Sequence, residues 1–192
     1  YYAARSFAAG DLANVYVPGG APFLPDPPAT WADWAREEGF TGPAFTPFLY
    51  PPLWAAALAP VAAAVPAQAF FNAVLVVNAA STIWMIWLTW RLMRPIQIGP
   101  VGWAAISFAL MLVTAPGYTA FWFGQPQVIV AAFTLAAVVA LADRRDILAG
   151  GCLALAAAIK LTPALIVLIF VMERRWTALA AFAVTGAALA LA

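Results

Sequence analysis

The chain has 192 residues, of which 66% are hydrophobic and 9% charged, and its formal net charge is +1. A soluble domain carries about a quarter charged residues and about half apolar ones, so this composition indicates an integral membrane protein. The net charge says nothing about partners, but no basic stripe is present, so we expect no nucleic-acid partner. The absence of histidine leaves a zinc site or a histidine relay without ligands, and a single cysteine excludes an internal disulfide framework.

Residues 1–49 form a polar segment that differs from the rest of the chain. It is rich in proline and holds five of the eight acidic residues. We interpret it as an extramembrane loop on the outer face, and residues 50–192 as a transmembrane helical bundle. Because the chain opens without an initiator methionine and stops inside an apolar run, we expect it to be a fragment, incomplete at both ends.

The stretch TWADWAREEG within the polar segment predicts a short helix. Thr30 and Asp33 have the spacing of a capping box, and Gly39 suits the position after the last helical residue. Trp31 and Trp34 share one face, which suits a helix lying at a lipid headgroup boundary. An ordinary loop helix is the alternative.

A series of apolar segments follows and predicts an all-α fold, a polytopic membrane helix bundle. The segments are 51–66, 68–90, 99–116, 124–142, 147–160, 163–172 and 176 onward. A membrane span takes about 20 apolar residues, so 68–90 is long enough, whereas 147–160 and 163–172 are each too short. The prolines in 51–66 leave open whether that segment crosses the bilayer or only dips into it.

Arginine pairs at the ends of these segments predict the orientation of the chain. The pairs are Arg91/Arg94, Arg144/Arg145 and Arg174/Arg175. If consecutive short segments pair as hairpins, all three pairs lie on one side, which the positive-inside rule makes cytoplasmic. The turn at 117–123 and Lys160 then lie toward the outer face.

Lys160 stands inside the apolar run LALAAAIKLTPALIVLIF, where burying an ammonium group costs about 2.5–3.5 kcal/mol. Thr162 before Pro163 predicts a helix restart, with the threonine as N-cap and the proline in the first turn. Since irregular backbone at membrane depth must be enclosed by protein or line a wet cavity, we expect Lys160 to face an outward cavity and bind an anion such as a lipid phosphate. A snorkelling lysine, or one span over 147–172 kinked at Pro163, is the alternative.

A second polar island is FWFGQPQ, residues 121–127. Gly124 and Gln125 lie where a helix should begin, and the Gln125 amide can both donate and accept hydrogen bonds, as recognition of a sugar hydroxyl requires. A polar turn that closes a hairpin is the alternative. We interpret Asn72 and Asn78, which lie on different helix faces, as groups that form hydrogen bonds between helices.

A third island is FTPFLYPPLW, in which Tyr50 precedes two prolines. The Tyr-Pro-Pro step predicts extended backbone before Pro51 and a helix start after it. Tyr50 is expected at the membrane interface, where an aromatic-belt tyrosine is the common explanation.

Taken in order, YYAARSFAAGDLANVY, FLYPPLWAAALAPVAAAVP, GQPQVIVAAF and AGGCLALAAAIKLTPALIVLIFVMERRW resemble glycosyltransferase family 87. The resemblance covers nearly the whole chain, and the Gly-Gln and Lys-Leu-Thr-Pro steps are its most specific parts. It implies the multi-pass type C glycosyltransferase fold in the bacterial cytoplasmic membrane, with the active site toward the outer face. It also implies inverting transfer of a sugar, mannose above all, from a polyprenyl-phosphate-linked donor to a lipid-linked or cell-envelope glycan acceptor, with no cofactor or metal.

The resemblance implies an aspartate as general base, just before the segment that matches YYAAR and therefore upstream of Tyr1. Within the chain, Asp11 is the weak candidate for that role. A transporter or flippase of polyprenyl-linked sugars is the alternative function, since it would share the lysine and the glutamine without needing the carboxylate. A structural membrane subunit is a third interpretation.

The resemblance also implies residues that bind the substrates. Lys160 is expected to neutralise the departing phosphate together with Arg5, although Arg5 equally suits a solvated or interfacial position. Gln125 and Tyr50 are expected to contact sugar or phosphate, and Tyr2 is expected to help shape the donor site.

Overall fold

The computed structural model describes residues 1–16, 28–40, 48–94 and 97–191. Throughout these residues the regular structure consists of α-helices and 3₁₀ segments without a strand, which confirms the all-α prediction. The chain divides into two compact units, Tyr1–Ala73 and Val74–Ala192. The division of the chain at residue 49 into an outer loop and a membrane bundle stays a prediction.

The first unit contains short helices and the beginning of a long one. Its elements are α1 (Tyr2–Ala8), the 3₁₀ turn Leu12–Asn14, α2 (Ala29–Glu37), α3 (Pro52–Ala64) and the start of α4 (Ala67–Met93). Pro51 has φ −54° and ψ 146°, and Pro52 opens α3, as the Tyr-Pro-Pro step predicts. The extended Val65 ends α3 before Pro66, because a residue that precedes proline disfavours helical backbone.

The ends of α2 confirm one predicted cap and contradict the other. Gly39 has φ +81°, and the Phe40 amide donates to the Ala35 carbonyl at 2.8 Å, so the glycine closes the helix as predicted. The capping box at Thr30 is wrong, because α2 begins earlier, with Pro28 as its N-cap and without a side-chain cap.

Trp31 lies in the core of the first unit rather than at a lipid surface. Its side chain is only 3% exposed, and its indole N–H donates to Ser6 Oγ at 2.9 Å. It packs in an apolar cluster with Tyr2 and Val15. The expectation of a headgroup-boundary position is therefore wrong for Trp31, which instead ties α2 to α1.

The second unit continues α4 with helices that follow the predicted apolar segments closely. These are α5 (Pro100–Val113), α6 (Ala115–Trp122), α7 (Gln127–Ala142), α8 (Asp146–Ile159), the 3₁₀ segment Thr162–Ile166, α9 (Val167–Met172) and α10 (Trp176–Leu191). Within the described ranges, α4 is the one helix that is long and apolar enough to cross a membrane, judged by length and composition. The other apolar helices are shorter, as the segments after residue 99 suggested.

Two local expectations in the second unit are corrected. Most of the predicted turn at 117–123 is helical, because α6 continues to Trp122. Gly124, with φ +57°, follows the end of α6 rather than opening α7. Thr162 is not an N-cap: Leu161 holds that position, and no side chain caps the 3₁₀ segment, although Pro163 lies in the first turn as predicted. Both corrections concern the residues that connect one helix to the next.

The core of the second unit depends on close contact between α8 and α10. Leu153, Ala149 and Ala178 are fully buried in the apolar cluster that these helices share with α7. A Cβ atom at Gly150 would overlap the Ala178 carbonyl group, so only glycine allows the two backbones to approach this closely.

The arginine pairs meet at one end of the second unit. The Arg91 guanidinium pairs with the Asp143 carboxylate. Arg175 pairs with Asp146 at 3.0 Å and donates to the Leu141 carbonyl at 2.8 Å. These contacts bring together the end of α4, the α7–α8 turn and the α9–α10 turn, as the hairpin prediction requires.

Candidate functional site

Lys160 lies where α8 gives way to the 3₁₀ segment. The helix ends at Ile159, and Lys160 is extended, with φ −145° and ψ 125°. The residues 147–172 therefore do not form one kinked span. The C-terminal end of a helix carries partial negative charge, which favours a cation at this position.

The Lys160 ammonium contacts the first residue of α7. It donates to Gln127 Oε1 at 2.8 Å and is partly buried. The contact forms because α7 and α8 are joined by a short turn and run antiparallel, which places the start of α7 beside the end of α8. Within the described part of the chain, none of the four ion pairs includes Lys160, so no carboxylate there neutralises its charge.

The turn that precedes α7 is anchored by Asn78 of α4. Asn78 is fully buried, and its side-chain amide donates to the Gln125 carbonyl at 3.1 Å. Asn78 therefore connects α4 to a turn rather than to another helix, and Asn72 accepts from Gln68 of its own helix at 3.0 Å, so neither contact is the helix–helix hydrogen bond that the sequence suggested. Asn78 thus holds the backbone at Gln125, two residues before Gln127 opens α7, and both glutamines are half-buried.

Arg5, which the resemblance places at the departing phosphate, forms an ion pair in the first unit. Its guanidinium lies 2.5 Å from a Glu38 carboxylate oxygen and stands over the Trp34 ring, 4.6 Å from the ring centre. The second Glu38 oxygen accepts from the Ala67 amide at the start of α4, at 2.8 Å. Glu38 thus ties three parts of the first unit together, which its sequence position alone does not indicate.

The remaining predicted residues of the first unit make local contacts. Tyr50 is half-buried, its ring centre is 5.6 Å from that of Phe48, and its carbonyl accepts from the Tyr16 hydroxyl at 2.8 Å. Asp11 accepts from the Asn14 side chain at 2.7 Å, so its carboxylate takes part in the 3₁₀ turn that it precedes.

The part of the chain that contains α3 to α10 matches a known family. The sequence model of glycosyltransferase family 87 matches residues 48–192. The chain belongs to glycosyltransferase family 87. This confirms the family and shows a glycosyltransferase of a membrane-associated family, although YYAARSFAAGDLANVY, which is part of the resemblance, precedes the matched residues. No curated protein and no solved structure matches the chain.

The region that matches family 87 contains Lys160, Gln125 and Tyr50, whereas Tyr2 and Arg5 precede it. Gln127, which the sequence prediction omits, lies in the same region and provides the hydrogen bond to the lysine. The Gln-Pro-Gln step is the sequence signal that could have identified Gln127, since the residue after the proline opens α7. Lys160 and Gln127 form a cationic, hydrogen-bonding site between the start of α7 and the end of α8.

Tyr2 gives the first unit of this family 87 member a testable response to alkaline pH. Its side chain is 8% exposed, and burial, followed by the charge of Glu38, raises its pKa to about 12 from 10.0. The folded chain therefore holds the phenolic proton more tightly than the unfolded chain, and the stability that is present below pH 10.0 is lost as pH rises toward 12.

We expect melting temperatures to fall over this pH range in the natural protein and to fall less in Tyr2→Phe, with tyrosinate absorbance reporting the missing ionisation. Tyr118→Phe is the matched control, because Tyr118 is 53% exposed. An alkaline loss of equal size in Tyr2→Phe and the natural protein would contradict the assignment of that loss to Tyr2.

Proposed function

We propose that this family 87 protein transfers mannose from a polyprenyl phosphate to a lipid-linked or cell-envelope glycan. The family supports sugar transfer, and the sequence resemblance supports the donor, the sugar and the acceptor. The observation that carries the proposal is the Lys160 ammonium, which has no carboxylate partner among the described residues and is held by Gln127 at 2.8 Å. Such a cation in an apolar helical unit suits an anionic substrate group.

The donor phosphate is proposed to bind between Lys160 and the start of α7. No side chain of the described residues caps α7, and a helix N-terminus attracts anions, so we propose that its first amide groups also donate to the phosphate. Gln127 orients the ammonium, and Gln125, on the same anchored turn, contacts the sugar or the phosphate. The ammonium, the amides and the glutamines then recognise one phosphate-linked sugar.

The proposed reaction is a displacement with inversion at the anomeric carbon. The acceptor hydroxyl oxygen bonds to that carbon while the bond to the phosphate oxygen breaks, and the phosphate leaves with the bonding electrons. The acceptor proton passes to a carboxylate, for which we propose an aspartate upstream of Tyr1, with Asp11 as the weak candidate. Lys160 stabilises the negative charge that grows on the leaving phosphate.

Residues of the first unit take a smaller part in this proposal. Tyr50 is proposed to contact the sugar or phosphate, and Tyr2 to shape the donor site. We assign Arg5 to the ion pair with Glu38 rather than to the phosphate, because that carboxylate already neutralises the guanidinium. The arginine end is proposed to face the cytoplasm of a bacterium, with Lys160 toward the outer face of the cytoplasmic membrane.

The proposal is tested by supplying full-length protein in proteoliposomes with radiolabelled polyprenyl-phosphate-mannose and membrane glycolipid acceptors. We expect the label to move into the acceptor fraction, with no transfer from a nucleotide-linked mannose supplied alone. Transfer from another polyprenyl-phosphate sugar, but not from the mannose donor, would overturn mannose. Intact labelled donor that crosses the bilayer without cleavage would overturn transfer in favour of a flippase.

A further inference from the structure

A groove between α8 and α10 lies at the arginine end of the second unit. Its volume is about 790 Å³, and its walls include Leu148, Gly151 and Leu155 of α8 and Thr185 of α10. The three α8 residues are spaced three and four apart and therefore share one helix face. This face is apolar over about two turns of the helix.

The groove is separate from the site proposed for the sugar donor. Lys160 follows the last residue of α8. The groove begins at the opposite end of this helix, at Arg144 and Arg145, which precede its first residue, Asp146. The 14 residues of α8 span about 21 Å at 1.5 Å per residue. Binding of a ligand at these arginines is therefore independent of sugar transfer at Lys160.

The mouth of the groove carries positive charge that its neighbours do not compensate. Arg144 and Arg145 are exposed, and neither guanidinium has a hydrogen-bond or ion-pair partner among the described residues. Asp146 also lines the groove, but its carboxylate already pairs with Arg175 at 3.0 Å. The net charge available at the mouth is that of the two arginines.

We propose that this groove binds one anionic phospholipid. The lipid phosphate lies against Arg144 and Arg145, since guanidinium groups bind phosphate oxygens through paired hydrogen bonds. An acyl chain lies along the apolar face that Leu148, Gly151 and Leu155 form. Basic pockets between membrane helices suit acidic headgroups, and the apolar length of the groove favours a lipid over a soluble phosphate.

Of two adjacent glycines, Gly151 faces the groove and Gly150 lies in the interface between α8 and α10, so a side chain at Gly151 can fill the groove without disturbing the helix packing. A Cβ atom at Gly151 would meet only Thr185 Oγ1, at 3.9 Å, which is an ordinary contact. A Cβ atom at Gly150 would lie 2.7 Å from the Phe182 amide nitrogen, within the helix interface. Gly151→Leu therefore projects a side chain into the groove, and leucine also favours the helical state over glycine.

The test uses full-length protein in detergent, titrated with dioleoylphosphatidylglycerol or with dioleoylphosphatidylcholine and analysed by native mass spectrometry. We expect one tightly retained phosphatidylglycerol and weaker phosphatidylcholine. The double variant Arg144→Asn/Arg145→Gln should weaken phosphatidylglycerol binding by about thirtyfold, from about 1 kcal/mol for each arginine. Gly151→Leu should also prevent retention, with an unchanged or higher melting temperature.

The control is Arg174→Asn, which removes an exposed arginine that also has a positive φ, 55° against 59° at Arg144. Asparagine suits that backbone, so the control should fold and keep its lipid. Equal binding of the two lipids, or an equal loss in Arg174→Asn, would overturn the site. Displacement of the lipid by millimolar inorganic phosphate, or a change of oligomeric state in Gly151→Leu, would assign the groove to a soluble anion or to another copy of the chain.

Discussion

Replacing Lys160 with methionine is expected to lower kcat/KM for sugar transfer by about a hundredfold to a thousandfold, the usual loss when one preorganised charge-stabilising group is removed. Methionine keeps the length of the side chain but cannot neutralise the leaving phosphate. The melting temperature should stay the same or rise, because a partly buried ammonium without a carboxylate partner costs desolvation energy in the folded state. Proteoliposome kinetics with labelled donor, together with a melt of the same preparation, measure both effects.

Gln127 provides a sharper version of this test. Gln127→Glu would place a carboxylate where Gln127 Oε1 now accepts from the ammonium at 2.8 Å. The resulting ion pair should compete with the donor phosphate and raise KM for the donor, whereas Gln127→Leu should have a smaller effect because Lys160 keeps its charge.

Arg94→Asn, which removes an exposed cation at the other end of the second unit, should leave transfer unchanged. Full activity in Lys160→Met, or an equal loss in Arg94→Asn, would show that Lys160 does not act on the phosphate.

The helices of the second unit could be predicted closely because local signals mark their ends. The segment 147–160 became α8, Asp146–Ile159, since charged residues precede it and Pro163 follows it. The sequence places the break between α5 and α6 too late, because only one extended residue, Thr114, separates two apolar helices. Pro116, in the first turn of α6, is the local signal that a helix begins there.

The site was predictable only where a residue conflicts with its immediate surroundings. Lys160 stands out because a charge in an apolar run is costly. Gln127 and Glu38 do not stand out, since their roles arise from partners that are distant in sequence: Lys160 for Gln127, and Arg5 with the Ala67 amide for Glu38. Such contacts depend on how helices pair, which no local pattern specifies.

Trp31 shows a related limit of sequence patterns. An aromatic face on a short helix suits either a lipid surface or a protein core, because both environments are apolar. The hydrogen bond from Trp31 to Ser6 resolves the ambiguity, and the two residues are 25 positions apart in the chain. The pattern therefore identified a buried face without identifying what covers it.

Gly150→Ala is expected to destabilise the second unit by at least about 2 kcal/mol, the middle of the usual range for overpacking. The added methyl group would overlap the Ala178 carbonyl, lie 2.7 Å from the Phe182 nitrogen and lie 2.8 Å from the Ala181 Cβ. Two of these groups belong to the backbone of α10, so no rotamer change relieves the contact. The helices must separate, which opens the packing around the fully buried Leu153 and Ala149.

Gly151→Ala is the matched control, because it adds the same methyl group one residue later in the same helix. Its nearest neighbour would be Thr185 Oγ1 at 3.9 Å, so alanine should instead stabilise α8 by up to about 1 kcal/mol through its higher helix propensity. Melting temperatures of the two variants in one detergent should therefore move in opposite directions. Equal shifts would mean that α8 and α10 do not approach closely at Gly150, because helix propensity alone affects both positions alike.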